Sequence, residues 1–364
     1  MNKSLNEIAQ ITMGQSPKSS AYNEDGNGLP FLQGRTTFGR MYPSFDTWTT
    51  EWNKECDADD ILFTVRAPVG DVNIAQTKIA LGRGVAGIRA KNVLPKYLYY
   101  LLYANKSTFI ASSSGTIYDS INKDQLDNVK LKVHNDEEQR HIVDTIGSVD
   151  NLIENNNKKI QLLITFGEQL YDKILLTNNY KKTQLNNLVS IYRGASPRPI
   201  QNYVADEGIP WVKISDATSI SNPFLFETKE FINAEGVKHS FEVYPNDFIL
   251  SNSATPGLPI FMQITACVHD GWLIIRNFKK ISPEYLYWVL KKDRNHLLSL
   301  GNGSIFTNLK TEILKTHEVP VFDDTTMESI NAKFKEIVNT MKNLVENNNK
   351  LNNIKNILLK KYFG

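Results

Sequence analysis

Several things are missing from these 364 residues, and each absence excludes something. No apolar run reaches the roughly 18 residues that a membrane-spanning helix needs, so no partner membrane is expected. The opening Met1-Asn2-Lys3-Ser4-Leu5-Asn6-Glu7 has no apolar signal core, and the expectation is a cytoplasmic chain. Cysteine is almost absent: Cys56 and Cys267 sit one in each half at non-matching positions. They read as buried thiols in a reducing compartment and exclude a disulfide framework. The six histidines form no ligand spacing, and the nearest approach, His269-Asp270, reads as a structural pair and not a metal site. An excess of one charge is also lacking. Forty-one Lys and Arg stand against 39 Asp and Glu, so any nucleic-acid surface must come from where the charge lies.

Catalytic motifs are missing too. There is no phosphate-binding G-x-x-x-x-G-K-[ST] loop. Gly82-Arg83-Gly84-Val85-Ala86-Gly87 matches a dinucleotide fingerprint in letters, but Pro95 follows too soon for the required helix. Glu227-Thr228-Lys229 resembles a nuclease E-x-K without a counterpart in the other half, and Asn222-Pro223-Phe224 is one proline short of an amino-methyltransferase motif. Ser253 and Ser304 have no evident His/Asp constellation. No catalytic residue, metal ligand or cofactor site is expected in this chain.

What is present is a duplication. Leu5-Asn6, Ile11, Gly14, Ser16-Pro17 and Gly28-Leu29-Pro30-Phe31 return as Leu185-Asn186, Ile191, Gly194, Ser196-Pro197 and Gly208-Ile209-Pro210-Trp211. Asp60-Ile61-Leu62-Phe63 returns as Asp247-Phe248-Ile249-Leu250, and Pro95-Lys96-Tyr97-Leu98-Tyr99-Tyr100 as Pro283-Glu284-Tyr285-Leu286-Tyr287-Trp288. Gly115-Thr116-Ile117-Tyr118 matches Gly303-Ser304-Ile305-Phe306, and Asn151 to Lys158 matches Asn343 to Lys350. Solenoid units run about 20–50 residues, so this much longer period marks a duplicated domain pair suited to a two-part target.

Within each copy, short β-type runs such as Ile61 to Arg66 and Val129 to Val133 surround one helix, expected from Pro95 to about Phe109. From Asp136 to about Asn178, proline disappears and apolar residues fall into heptads. Ile142, Ile146, Val149, Ile153, Ile160, Leu163, Leu170 and Ile174 form the seam, with Asn156 and Gly167 as exceptions. The second copy uses Ile330, Phe334, Ile337, Met341, Leu344, Leu351 and Leu358, interrupted by Asn348 and Lys355. Each stripe predicts a coiled-coil helix of about 40 residues and ~60 Å. Antiparallel pairing would let Asn156, at a d-type position, meet Asn348, at an a-type position, and fix register. Partial solvation of both near the middle of the rod is the other reading.

The expected fold is therefore mixed α/β: two similar globules, at residues 1–135 and 181–322, separated by two long helices, 136–180 and 323–364, in an antiparallel coiled coil. The internal repeat makes the pair pseudo-two-fold.

These markers together resemble the specificity subunit of type I restriction–modification systems along the whole chain. Those that carry the resemblance are the two Ser-Pro openings, the Gly-Leu/Ile-Pro-aromatic corners, Asp60-Ile61-Leu62, the Pro-x-Tyr-Leu-Tyr helices, the Gly-Thr/Ser-Ile turns and Glu138-Gln139. The second long helix departs by opening Asp324-Thr325-Thr326-Met327, and Ser253 stands where the first copy has Arg66. The resemblance implies a non-catalytic reader of split double-stranded DNA sites, with each globule a target recognition domain. It further implies that the helices dock two modification subunits carrying S-adenosylmethionine, joined by restriction subunits carrying ATP and Mg. A self-contained methyltransferase or nuclease and a coiled-coil adaptor without nucleic acid are the competing readings.

The duplication sorts candidate contacts. Residues alike in both copies, Thr116 and Ser304 in their glycine turns, suit either phosphate or an ordinary turn cap. Polar positions that differ suit base reading: Gln33, Arg35, Thr36, Arg66 and Arg83 in the first copy, and Lys213, Ser215, Asp216 and Ser253 in the second. Arg and Lys match guanine edges and Gln matches adenine.

Overall fold

In the computed structural model, which describes residues 1–113, 120–300 and 308–364, five helices carry the architecture. They are α1 (Pro95–Ala104), α2 (Lys106–Ala111), α3 (Asp136–Thr177), α4 (Pro283–Ser299) and α5 (Asp324–Phe363). The chain divides into a first unit, Met1–Ile153 with Lys350–Gly364, and a second, Glu154–Asn349. No helix among the described residues is long and apolar enough to cross a membrane.

In the first unit, Ala9–Met13, Val85–Ala90, Ile61–Thr64 and Val72–Ile74 form a four-stranded antiparallel sheet in that order. All four residues of Ile61–Thr64 are buried, which is why this run shows no alternation. A five-stranded sheet places Leu29–Leu32 parallel to Ile79–Leu81. The repeated Asp of Asp60-Ile61-Leu62 is structural. Arg89 grips it with Nε at 2.8 Å and Nη2 at 2.7 Å, tying neighbouring strands through a forked ion pair. Helix α1 buries Tyr97, Leu98, Tyr99, Tyr100, Leu101 and Leu102. The single helix expected to run on to Phe109 is broken at Asn105, whose amide donates to the Leu101 carbonyl at 2.9 Å before α2 begins.

The long helices enter this core from both ends of the sequence. Ile142 and Ile146 of α3 pack with Leu359 of α5, and Tyr362 Oη lies 3.0 Å from His141 Nε2. Asp150 of α3 faces Lys355 of α5 at 2.9 Å, so the two helices run antiparallel. Lys355, an exception in the apolar seam, thus has an anion. Tyr100 Oη donates to the second Asp150 oxygen at 2.8 Å, and three tyrosine rings, Tyr99, Tyr100 and Tyr103, surround the ammonium at 6.0, 5.7 and 5.1 Å. Burial pulls the Lys355 ammonium below its ordinary value, and Asp150 opposes that pull.

The second unit repeats the plan. Its first sheet runs Ser190–Arg193, Trp272–Arg276, Phe248–Ser251, Pro259–Met262, Phe224–Leu225, and its second places Ile209–Val212 parallel to Ala266–Val268. Arg276 forks onto Asp247 at 2.9 and 2.5 Å, as Arg89 does onto Asp60. Here α3 and α5 are again antiparallel. Asn156 Nδ2 donates to Asn348 Oδ1 at 2.9 Å, and Asn348 Nδ2 to Asn157 Oδ1 at 2.8 Å, with both Asn156 and Asn348 buried. Gly167 lies under Trp288 of α4: a Cβ there would come within 2.3 Å of the indole ring. All four exceptions to the heptad pattern thus have local partners.

A buried Asn pair in a helix seam trades stability for a defined register. Thermal melts of the full chain check the trade. Asn156→Leu alone should lower the melting temperature, because it strands the Asn348 oxygen. Asn156→Leu with Asn348→Leu should raise it above wild type.

The thiols behave as read from the sequence. Burial pushes Cys56 up to about 12 and Cys267 up to about 11, so both are neutral and unreactive at physiological pH.

Candidate nucleic-acid interface

In each unit the strands end so that four loops meet. The first unit's Ala9–Met13, Leu29–Leu32 and Ile61–Thr64 all finish at the end where Val85–Ala90 begins, because parallel and antiparallel pairings alternate suitably. Main-chain bonds stitch the loops together. Gln15 N donates to Leu81 O at 2.9 Å, Gly84 N to Gln33 O at 3.1 Å, and Val65 N to Gly84 O at 3.0 Å. Ser16 Oγ, from the repeated Ser-Pro, accepts from Arg83 N at 3.2 Å. The G-x-G letters now have their reason. A Cβ on Gly84 would sit 2.2 Å from Gln33 O, so the backbones touch here and only glycine fits.

This stitching brings Gln33, Arg66 and Arg83 together as exposed side chains, with Arg35 and Thr36 on the same loop as Gln33. Arg66 has no side-chain partner among the described residues. Arg35 is held instead: its Nη1 meets Asp71 at 2.9 Å, and Lys106 of α2 meets the other oxygen of the same carboxylate. Arg35, Arg40, Asp71, Tyr103 and Lys106 line a groove of about 880 Å³. Arg40 and Lys106 were not found from the sequence. The partner of Arg40, Asp150, lies more than a hundred residues away, and Lys106 belongs to the helix break that the periodicity hid.

The second unit builds the same loop end. Gly194 N donates to Trp272 O at 2.9 Å and Asn252 N to Gly271 O at 2.8 Å. Ser196 Oγ donates to Asp270 Oδ1 at 2.7 Å, which holds that carboxyl below its usual value. Lys213, Ser253, Arg198, Trp211 and His269 line a groove of about 850 Å³. Burial pulls the His269 imidazole below its ordinary value, and its Nδ1 accepts from Gly271 N at 2.8 Å, which places the ring N–H on Nε2. Lys213 pairs with Glu230 at 2.5 Å, Ser215 is exposed, and Ser253 is half-buried.

Asp216 departs from its expected place. It is buried, one oxygen accepting from Lys213 N at 2.8 Å and the other from Lys229 N at 3.4 Å, so it fastens the start of a short helix and faces no groove. Asp216 is selected as a polar position that differs between the copies, but the acid is spent on the helix start. In this unit Arg198 is a cation that the sequence did not reveal. Its side chain is 80% exposed and only loosely tied to Asp270 at 3.4 Å, and it stands where the first copy has Lys18. Thr116 and Ser304, with the turns Gly115 to Tyr118 and Gly303 to Phe306, lie outside the described residues. Among the described residues no cluster of three His, Cys, Asp or Glu is placed to hold a metal.

Two similar α/β units, each completed by antiparallel long helices and each ending in stitched loops with outward cations, have the fold of a type I specificity subunit. The resemblance read from the sequence is borne out: residues 1–164 match the family of the type I restriction modification DNA specificity domain. The chain is 41% identical over 152 residues to a Methanocaldococcus jannaschii protein assigned as the MjaX type I restriction enzyme specificity subunit, covering 41% of this chain and 36% of that one. It is 22% identical over 268 residues to the MjaIX specificity subunit of the same organism, covering 65% and 61%. The chain thus spans less than two thirds of either relative. The crystal structure of a type I restriction–modification system S subunit from M. genitalium covers 100% of this chain and 96% of its own at a TM-score of 0.60. At 16% identity that likeness shows the fold.

Proposed function

We propose that this chain is the DNA-specificity subunit of a type I restriction–modification complex. Residues 1–135 and 181–322 act as two target recognition domains, each reading one half of a split double-stranded site. The helical segments 136–180 and 323–364 dock two modification subunits, and restriction subunits join that assembly in the cytoplasm. The modification subunits bring S-adenosylmethionine, the restriction subunits bring ATP and Mg, and this chain is non-catalytic.

One observation carries the reading: the same four-loop end is built twice with different outward side chains. The backbone bonds from Gly14, Gln15 and Val65 recur from Gly194, Ala195 and Asn252, whereas Gln33 is replaced by Lys213, Arg66 by Ser253 and Lys18 by Arg198. A shared frame with divergent tips is what two readers of two different sequences need. Gln33, Arg35, Thr36, Arg66 and Arg83 are the candidate contacts in the first domain, and Lys213, Ser215, Ser253 and Arg198 in the second.

Two measurements test this. The chain assembled with its modification subunits should bind a cognate duplex with an affinity that falls steeply as salt rises, with a log–log slope near −0.9 per phosphate contacted. The purified chain alone should transfer no labelled methyl group and cut no DNA. Salt-independent or absent DNA binding would support an adaptor, and turnover abolished by a point change in this chain would support a hidden enzyme.

A further inference from the structure

The first unit's reading loop is fastened to the helix pair at its far end. Gln33, Arg35 and Thr36 occupy the loop that ends at Arg40. Arg40 Nη2 reaches Asp150 Oδ1 of α3 at 2.5 Å, the same oxygen that receives Lys355 of α5 at 2.9 Å. Asp150 is 1% exposed, Lys355 7% and Arg40 33% at their side chains, so the anchor lies inside the protein and the loop leads away from it toward solvent. The backbone beside Arg40 is clamped as well. Gly39 N donates to Asn73 Oδ1 at 3.0 Å, Asn73 Nδ2 donates back to Gly39 O at 2.9 Å, and Tyr99 Oη donates to Arg40 O at 3.4 Å.

The second unit ties the corresponding segment differently: Gln161 Nε2 of α3 donates to Ser221 O at 3.1 Å, a neutral bond to main chain in place of a buried ion pair. Lys342 repeats Asp150, and it reaches only Asn246 Oδ1 at 3.5 Å. Asn222 stands where the first copy has Arg40, since Pro223 O accepts from Phe261 N as Met41 O does from Ile74 N, and its side chain only accepts from Phe224 N at 3.0 Å. The buried ion-pair anchor is therefore a property of the first unit among the described residues.

We infer that Arg40, through its ion pair with Asp150, is a positioning residue for DNA discrimination by the first recognition domain: it sets the loop carrying Gln33, Arg35 and Thr36 against the paired helices. This rests on the DNA-reading proposal above. The helices are also the segments proposed to hold the modification subunits. One buried carboxylate therefore links the reading loop to the frame on which the methylating partners sit. A base contact is sensitive to small displacements of the group that makes it, so a free loop reads less sharply even when every contacting side chain is intact.

The experiment uses the full chain assembled with its modification subunits. Binding is measured across a salt series to the cognate duplex, to duplexes with single changes in the first half-site, and to duplexes with changes in the second. Arg40→Met leaves Asp150 with Lys355 and Tyr100, so the helix pair keeps its buried charge balance. Discrimination within the first half-site should fall roughly 3- to 30-fold, the range for a residue that acts without touching ligand. The second half-site and the salt slope should stay unchanged, and Arg40→Lys should recover part of the loss.

Three results would overturn the inference. Discrimination could be unchanged at the first half-site. It could fall equally at both halves, which marks general damage. Affinity could fall alike for every duplex with a salt slope smaller by about one, which marks Arg40 as a phosphate contact. A wild-type complex that cannot tell cognate from scrambled DNA sinks the DNA-reading proposal itself. Wild-type discrimination matched by Arg40→Met sinks only the anchor.

Discussion

Asp150→Ala is expected to destabilise the first unit by ~3–5 kcal/mol, the usual cost of removing one partner from a buried ion pair. The carboxylate it removes accepts from Lys355, Arg40 and Tyr100. Without it, Lys355 remains among three tyrosine rings with a positive charge and no anion, and it must shed a proton or force the helices apart. Lys355→Met should cost less, because Arg40 and Tyr100 still hold Asp150. Asp150→Leu with Lys355→Met should recover most of the loss, since a buried pair exchanged for well-packed apolar residues is often neutral.

The pH dependence has a definite sign. Lys355 already titrates below its ordinary 10.5, from burial first, and removing Asp150 deepens that depression. The unfolded state then holds a proton that the folded state lacks, so stability is lost as pH falls and returns as pH climbs toward 10.5. Asp150→Ala should therefore gain on wild type between neutral pH and that value, and the double variant should not. Denaturant melts at several pH values check this. A flat difference between Asp150→Ala and the double variant would contradict it.

The second large effect concerns DNA. Arg66→Ala should cost about 1–3 kcal/mol of discrimination at one position of the first half-site, roughly 5- to 150-fold, and nothing at the second. Among the cations that sequence reading selected, Arg66 is exposed and has no side-chain partner among the described residues, so it can meet a base edge without breaking a bond. Arg35 must first share or release Asp71, and Arg35→Ala should therefore cost less. Competition binding with single-substituted duplexes checks both. An equal loss at the two halves would count against the assignment of Arg66 to one half.

Much of this architecture was legible because it is written twice and periodically. The heptads announced α3 and α5, and the two asparagines that break them proved to be one hydrogen-bonded pair. The other two breaks were opaque for a physical reason. Gly167 is small because Trp288, more than a hundred residues away, occupies its space, and Lys355 is tolerated because Asp150 and three tyrosines enclose it. Neither partner can be found from spacing within one helix. The repeated Asp60 and Asp247 were visible as letters, but their strand-tying arginines, Arg89 and Arg276, were not singled out.

The candidate interface divides similarly. Comparing the copies found Gln33, Arg66 and Arg83, which the stitched loops gather. It misjudged Asp216, a polar position that differs between the copies because its acid is spent on the helix start. It missed Arg198 because Lys18 and Arg198 are cations in both copies and so do not differ in kind, and it missed Arg40 because its partner Asp150 lies more than a hundred residues away.

The most direct test of the central claim is genome-wide mapping of methylated adenines in a strain expressing this chain with its modification partner. The expected result is a single motif of two unlike short elements at one fixed gap, with Arg66→Ala altering one element and leaving the other and the gap unchanged. A contiguous motif, or a change that spreads to both elements, would contradict the assignment of one half-site to each unit.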